Sequence, residues 1–190
     1  GSAFWHCVGL TSITIPETVT SIDNYAFSDC ASLTSITIPE GVTSIGNYAF
    51  EGCVSLKSIT IPQSVTSIGG TVFYGCISLK SVIIPEGVTS IGSSAFSGCT
   101  CLTSVTIPEG VTSIANQAFN NCISLKSVII PQSVTSIGNN AFYGCYFLRS
   151  SFVNNSALTS STNWGANLYD KETVDGLLIS GETIIKCRTW

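Results

Sequence analysis

Between Ser35 and Ile38 the chain alternates polar and apolar residues, Ser-Ile-Thr-Ile, and the alternation stops at Pro39. A period of two places Ile36 and Ile38 on one side and Ser35 and Thr37 on the other, which predicts a short strand with one buried face. Val42-Thr43-Ser44-Ile45 predicts a second extended piece on another side of the same coil. Ala49-Phe50 then predicts a single helical turn carrying both side chains inward, with Gly46 as its N-cap. The same cap column reads Asp23, Gly46, Gly69, Gly92, Ala115 and Gly138, of which Ala115 is the weak member.

The pattern is not local. Proline recurs at 16, 39, 62, 85, 108 and 131, always 23 residues apart, and cysteine keeps that step at 7, 30, 53, 76, 99, 122 and 145. Leucine does so from Leu10 to Leu148, phenylalanine from Phe4 to Phe142, and isoleucine from Ile22 to Ile137. A fixed period of this length is the signature of a solenoid or array. One unit offers about eight apolar positions, such as Leu33, Ile36, Ile38, Val42, Ile45, Ala49, Phe50 and Cys53. Burial of each contributes at most about 1.5–3 kcal/mol, against roughly 1–2 kcal/mol of backbone entropy for every residue ordered. A single unit should therefore not fold alone, whereas stacking gives each apolar column a continuous core and each strand a partner.

Two further columns follow. Asp29, Gly52, Gly75, Gly98, Asn121 and Gly144 precede the repeating cysteine. These residue types tolerate positive φ, so a left-handed turn is expected there in every coil. The pairs Asn47-Tyr48, Gly70-Thr71, Ser93-Ser94, Asn116-Gln117 and Asn139-Asn140 share no such logic and read as solvent-facing filler. ISLKSVIIP at 77–85 returns at 123–131, an echo that suggests duplication of paired units and carries no chemistry of its own.

Hydrophobic residues form 44% of the 190-residue chain and charged residues 9%, well under the roughly 25% usual for soluble domains. Serine, threonine and asparagine must then solvate the surface. The net charge is −4, and the seven Lys and Arg do not cluster, which excludes the basic footprint of a nucleic-acid binder and disfavours an acidic membrane surface. No apolar run approaches the roughly 18 residues that span a bilayer, so membrane insertion is not expected. The sequence has no methionine and opens inside a repeat, as a piece of a longer protein would.

Candidate chemistry is sparse. Seven of the nine cysteines form the column, all expected to point into the core as reduced thiols, with a disulfide between ladder neighbours as the alternative because strand spacing brings them within range, and a linear ladder does not supply four convergent metal ligands. Cys101 falls where other coils carry Ser32, Ser55, Ser78 and Ser124, a tolerated exchange. His6 is the single histidine, which leaves Ser-His-Asp and metal-hydrolase sites without support. Glu17, Glu40, Glu86 and Glu109 share their column with Gln63 and Gln132, the pattern of a solvated turn. No phosphate loop or nucleophile elbow occurs, so neither catalytic nor metal residues nor a cofactor are expected.

The unit L-x-S-[IV]-x-I-P-x-x-V-T-S-I-x-x-x-A-F-x-x-C closely resembles the BspA-like class of leucine-rich repeats, over roughly residues 3 to 153. The resemblance implies a right-handed solenoid with a parallel β-sheet on its concave face and short helical turns and extended pieces elsewhere. It also implies a secreted or cell-surface protein of the kind associated with adhesion to host extracellular proteins. Residues 1–153 would form about seven coils, the first incomplete, and 154–190 a non-repeat segment. From Ser151 the pattern departs: Ser151 stands for the inward Ile and Asn154 for Pro. Leu177-Leu178-Ile179 and Thr183-Ile184-Ile185 flank Ser180-Gly181-Glu182, a predicted hairpin that acts as cap or insert.

What is left is surface. The outward strand positions are Ser35, Thr37, Ser58, Thr60, Ser81, Ile83, Ser104, Thr106, Ser127 and Ile129, with Lys57, Lys80 and Lys126 where the strands begin. These residues form the candidate ligand-binding face. The leading expectation is a non-enzymatic module for adhesion to extracellular or host surface proteins, weak contacts being multiplied along the repeats. A structural spacer projecting another binding region is the alternative, followed by glycan or ice binding through the ranked hydroxyls.

Overall fold

The computed structural model describes residues 1–150, 152–154, 158 and 183–184. It is a β-solenoid in which each 23-residue unit lies directly over the one before. The alternating Ser-Ile-Thr stretches pair as parallel strands in exact column register by sequence: Ser35 faces Ser58, Ile36 faces Ile59 and Thr37 faces Thr60, while Ser81, Val82 and Ile83 face Ser104, Val105 and Thr106. Single bridges join Thr14 to Thr37 and Ser104 to Ser127. Between the strands Ser58–Thr60 and Ser81–Ile83, Lys80 N–H donates to the Lys57 carbonyl at 3.3 Å.

The Thr-Ser-Ile stretches form a second parallel ladder. Ser21–Ile22 pairs with Ser44–Ile45, Ile68 bridges Ile45 to Ile91, and Ser90–Ile91, Ser113–Ile114 and Ser136–Ile137 follow. Between the two ladders each Pro-x-x-Val closes a tight turn, as where Val42 N–H donates to the Pro39 carbonyl at 3.0 Å. Proline suits this site because its fixed φ favours the turn and its missing N–H ends the ladder without loss.

The third side of the coil departs from the sequence expectation. Ala49-Phe50 lies in hydrogen-bonded turns, and the one helical element among the described residues is the 3-10 helix Tyr146–Ser150. The reason is the hydrogen bonding. Tyr48, Phe50 and Gly52 N–H groups donate to Gly70, Val72 and Tyr74 carbonyls of the next coil at 3.1, 2.9 and 2.8 Å. A helical turn would have directed those donors along its own axis. The expected left-handed column is present, with φ of 59° at Asp29, 66° at Gly52, 69° at Gly75 and 56° at Asn121. A second one accompanies it four residues earlier, at Tyr25, Tyr48, Thr71, Ser94, Gln117 and Asn140, with φ of 54–61°.

Nor is the Gly46 column a helix cap. A Cβ on Gly46 would come within 2.6 Å of both the backbone nitrogen and Oδ1 of Asn24, so glycine at this position suits the closeness of the preceding coil, although Ala115 fits a Cβ in the same column. The apparent filler is likewise structural: Asn24 Oδ1 accepts from Asn47 N–H and Asn47 Oδ1 from Gly70 N–H, each at 2.7 Å, and Asn116 Oδ1 accepts from Asn139 N–H at 2.8 Å.

Inside, each column stacks on itself. Phe4, Phe27, Phe50, Phe73, Phe96, Phe119 and Phe142 form a continuous file with ring centroids 5.2–5.6 Å apart and planes within 17° of parallel. Leucines 33 to 148 and valines 42 to 134 are buried beside them. Residue volume and shape repeat from coil to coil, so the core keeps interior packing density along its length.

Beyond the last full repeat the first ladder continues, shifted by one residue. Phe152, Val153 and Asn154 pair in parallel with Val128, Ile129 and Ile130, so Phe152 rather than Ser151 takes the register of the inward column. Thr183–Ile184 then pairs antiparallel with Val153 and Asn154. The first half of the expected hairpin, Leu177 to Ile179, and most of segment 154–190 lie outside the described residues. Among the described residues, no helix is long and apolar enough to cross a membrane.

Candidate interaction surface

The outer face of the first ladder holds the thirteen candidate residues, and all of them are exposed. Strand register assembles them into files along the solenoid. One runs Ser35, Ser58 and another Ser81, Ser104, Ser127, while Thr37 sits against Thr14 and Thr60, and Ile83 against Thr106. Ile83, which ends its strand, is 71% exposed and Ile129, in the middle of its strand, 57%, unusual for isoleucines paired in a sheet.

The lysines form their own file at the head of the strands. Backbone hydrogen bonds run Lys57 to Thr34, Lys80 to Lys57, Thr103 to Lys80 and Lys126 to Thr103, at 3.0–3.3 Å, which makes Lys57 and Lys80 immediate neighbours and places Lys126 two coils past Lys80. None of the three forms an ion pair with a described residue. Past the far end of the strands, one place after each proline, the exposed carboxylates of Glu17, Glu40, Glu86 and Glu109 make the opposite border, a strand's length away. The face is thus a neutral hydroxyl floor with a cationic rim and an acidic rim.

The family description "BspA type Leucine rich repeat region" matches six copies, over residues 1–100 and 68–168. The chain belongs to the BspA-type leucine-rich repeat family. Among solved structures, this BspA-type chain is similar to a leucine-rich repeat protein of T. pallidum, with 28% identity over 73% of this chain and 78% of that one and a TM-score of 0.61. It is similar to a leucine-rich cell surface protein of Faecalibacterium prausnitzii A2-165, with 34% identity, 77% and 48% coverage and a TM-score of 0.61. A leucine-rich repeat protein of Eubacterium ventriosum ATCC 27560 matches at 25% identity over 91% of this chain, with a TM-score of 0.59. The chain spans about half the length of the latter two, 48% and 47%. Comparison with curated proteins gives no match.

In this BspA-type array most of the cysteine column lies in the interior. Cys30, Cys53, Cys76, Cys99, Cys122 and Cys145 are buried free thiols. Each donates to the carbonyl of a phenylalanine 26 residues earlier at 3.1–3.2 Å. Burial pushes the Cys53 thiol up to about 12 and lifts Cys76, Cys99 and Cys122 well above the usual thiol range, which suppresses the thiolate needed for nucleophilic or metal chemistry. Cys7 departs from the expectation of an inward file: it lies in the first coil and is exposed, as is Cys101.

The first coils hold one small polar group. His6 Nδ1 is 4.0 Å from Asp29 Oδ2, and the buried Ser28 hydroxyl donates to Glu51 Oε2 at 3.4 Å. Partial burial and then the Asp29 charge raise the Glu51 carboxyl above its ordinary value, against the opposing Ser28 hydrogen bond. Two exposed apolar files were not read from the sequence. Val8, Val54, Ile77, Ile123 and Tyr146, each just after the repeating cysteine, are exposed, as are Tyr74 and Tyr143 three residues before Ile77 and Tyr146. Their signal was present as a column of apolar residues out of phase with the Leu file.

Proposed function

We propose that this chain is a non-enzymatic, secreted or cell-surface repeat module that binds extracellular or host surface proteins through the outer face of its first strand ladder. The observation that carries the reading is the regular rank of exposed serine and threonine hydroxyls bordered by Lys57, Lys80 and Lys126, three cations without a described ion-pair partner. Such groups retain their hydrogen-bonding capacity and charge for a partner, and the spacing repeats with every coil, so weak contacts add along the axis. Likeness to a leucine-rich cell surface protein of Faecalibacterium prausnitzii supports the location. The deciding experiment immobilises the protein and screens extracellular-matrix proteins and host cells. Aspartate substitutions at Ser35, Thr37, Ser58 and Thr60 should weaken any binding by about tenfold or more, as unpaired charge buried in a contact does. Binding unchanged by those substitutions moves the site off this face; no binding at all leaves the spacer role.

A further inference from the structure

The 46-residue echo has a surface consequence. Its two copies place Lys80 just before the strand that carries Ile83 and Lys126 just before the strand that carries Ile129, all four exposed and the two pairs two coils apart. The coil between them carries Thr103 and Thr106 at the equivalent places, held there by the backbone bonds from Thr103 to Lys80 and from Lys126 to Thr103 and by the register of Ile83 on Thr106. The face is therefore striped, with an apolar-cationic coil, a hydroxyl coil and a second apolar-cationic coil.

We infer that these two stripes form a docking surface for a protein segment in polyproline II conformation that runs along the solenoid axis and presents an apolar and an acidic side chain once every three residues. The inference rests on the interaction role proposed for the same face. Adjacent parallel strands lie about 4.8 Å apart, so equivalent side chains two coils apart are separated by about 9.6 Å. A polyproline II segment rises about 3.1 Å per residue with three residues per turn, returning a side chain to the same edge every ~9.3 Å. An extended β-strand returns every ~6.7 Å and an α-helix every ~5.4 Å, and neither falls in step with about 9.6 Å. The apolar edge of the segment lies on Ile83 and Ile129, and the acidic edge on Lys80 and Lys126. Charge sets the sign of the partner: the lysines lack ion-pair partners among the described residues, while the acidic border of Glu86 and Glu109 at the opposite ends of the strands repels a carboxylate placed the other way. Preformed polyproline II structure also lowers the entropy cost of docking.

The test uses the full chain and a fluorescent peptide of repeated Pro-Glu-Leu triplets, against a peptide of equal composition in which neither Glu nor Leu recurs at every third place. The variants I83T/I129T and K80T/K126T install residues that the chain already carries in the same columns, at Thr106 and Thr103, so the fold tolerates them. The triplet peptide should bind at least about tenfold more tightly than its control, and each double variant should lose about tenfold. The loss in K80T/K126T should shrink in high salt, where exposed charges are screened, and that in I83T/I129T should not. Equal binding of the two peptides, or double variants that bind as the parent does, overturns the inference. A matrix protein that is lost on substitution of Ser35, Thr37, Ser58 and Thr60 but kept by I83T/I129T leaves the proposed function standing and removes this inference alone. If the triplet peptide binds as expected and no matrix protein does, the docking surface stands and the adhesive role falls.

Discussion

The thiol of Cys76 donates to the carbonyl oxygen of Phe50 at 3.1 Å, while the same oxygen accepts Cys53 N–H at 3.2 Å. One carbonyl thus ties its own turn and the following coil together, and a small, weakly donating side chain fits where a hydroxyl would be more costly to bury. Because the backbone donor remains when the thiol is removed, Cys76→Ala should cost only about 1–2 kcal/mol, whereas Phe73→Ala, which opens a gap in the ring file, should cost about 3–5 kcal/mol. Urea unfolding midpoints at constant m-value check the ranking. A Cys76→Ala variant as damaged as Phe73→Ala would show that the thiol bond, not the ring file, dominates the coil contact.

The same burial makes the fold sensitive to alkali. Cys53 is raised to about 12 from an ordinary 9.0, and Cys76, Cys99 and Cys122 are raised too, so above pH 9 the unfolded chain releases thiol protons that the folded chain still holds. The folded state binds more protons, and stability falls as pH rises, by about 1.4 kcal/mol per pH unit for each such thiol once the unfolded value is passed. Stability contributed by these groups is fully present below pH 9. Denaturant titrations at pH 8, 9 and 10 should show a decline that steepens past 9 and that flattens in part when Cys76 and Cys99 are replaced by alanine. A pH-independent midpoint through this range contradicts the argument.

Much of this was legible in the sequence because each inward residue must stack on its own image. Leu33, Ile36, Phe50 and Cys53 announced their columns by repetition, and Gly52, Gly75 and Asn121 announced a left-handed turn by residue type. The second left-handed column was silent, since Tyr48, Thr71 and Gln117 have no preference for positive φ; the inter-coil bonds from Tyr48 N–H to Gly70 and Phe50 N–H to Val72 override local propensity there. Asn47 looked like filler because Gly70 and Ser93 interrupt its column, although its side chain supports the next coil. The shift to Phe152 was hidden because one inserted residue destroys a strict 23-residue count without ending strand pairing. For the candidate face, alternation alone set Ser35 and Thr37 outward, but the two-coil stripe of Lys80, Ile83, Lys126 and Ile129 emerged only when coils were laid side by side.

The left-handed turns can be separated into conformational and steric parts. Gly75 has φ of 69° and an added Cβ would meet nothing within 4 Å, so Gly75→Ala should cost about 1–2 kcal/mol from backbone conformation alone. At Gly144, with φ of 78°, a Cβ would collide with Oδ1 of Asn121 in the preceding coil. Gly144→Ala should therefore cost more than Gly75→Ala, and N121G should recover the difference in the double variant. Chemical denaturation of the four proteins forms a double-mutant cycle. Additive losses would show that the Asn121 contact is relieved by movement rather than by substitution.

The asparagine file gives the last test. Asn47 accepts Gly70 N–H through Oδ1 at 2.7 Å while its own N–H donates to Asn24 Oδ1 at 2.7 Å, so the side chain acts toward the next coil as a cap does toward a helix. Asn47→Ala removes the acceptor and leaves Gly70 N–H to water at a half-buried position, which should cost about 1 kcal/mol, with Asn47→Asp nearer to the parent because a carboxylate still accepts. The loss should be local. Amide hydrogen exchange should accelerate at Gly70 in Asn47→Ala and remain unchanged at Asn139, whose N–H is held by Asn116 at 2.8 Å. Equal acceleration at both amides would mean that the coils open together and that the file supports the solenoid only through global stability.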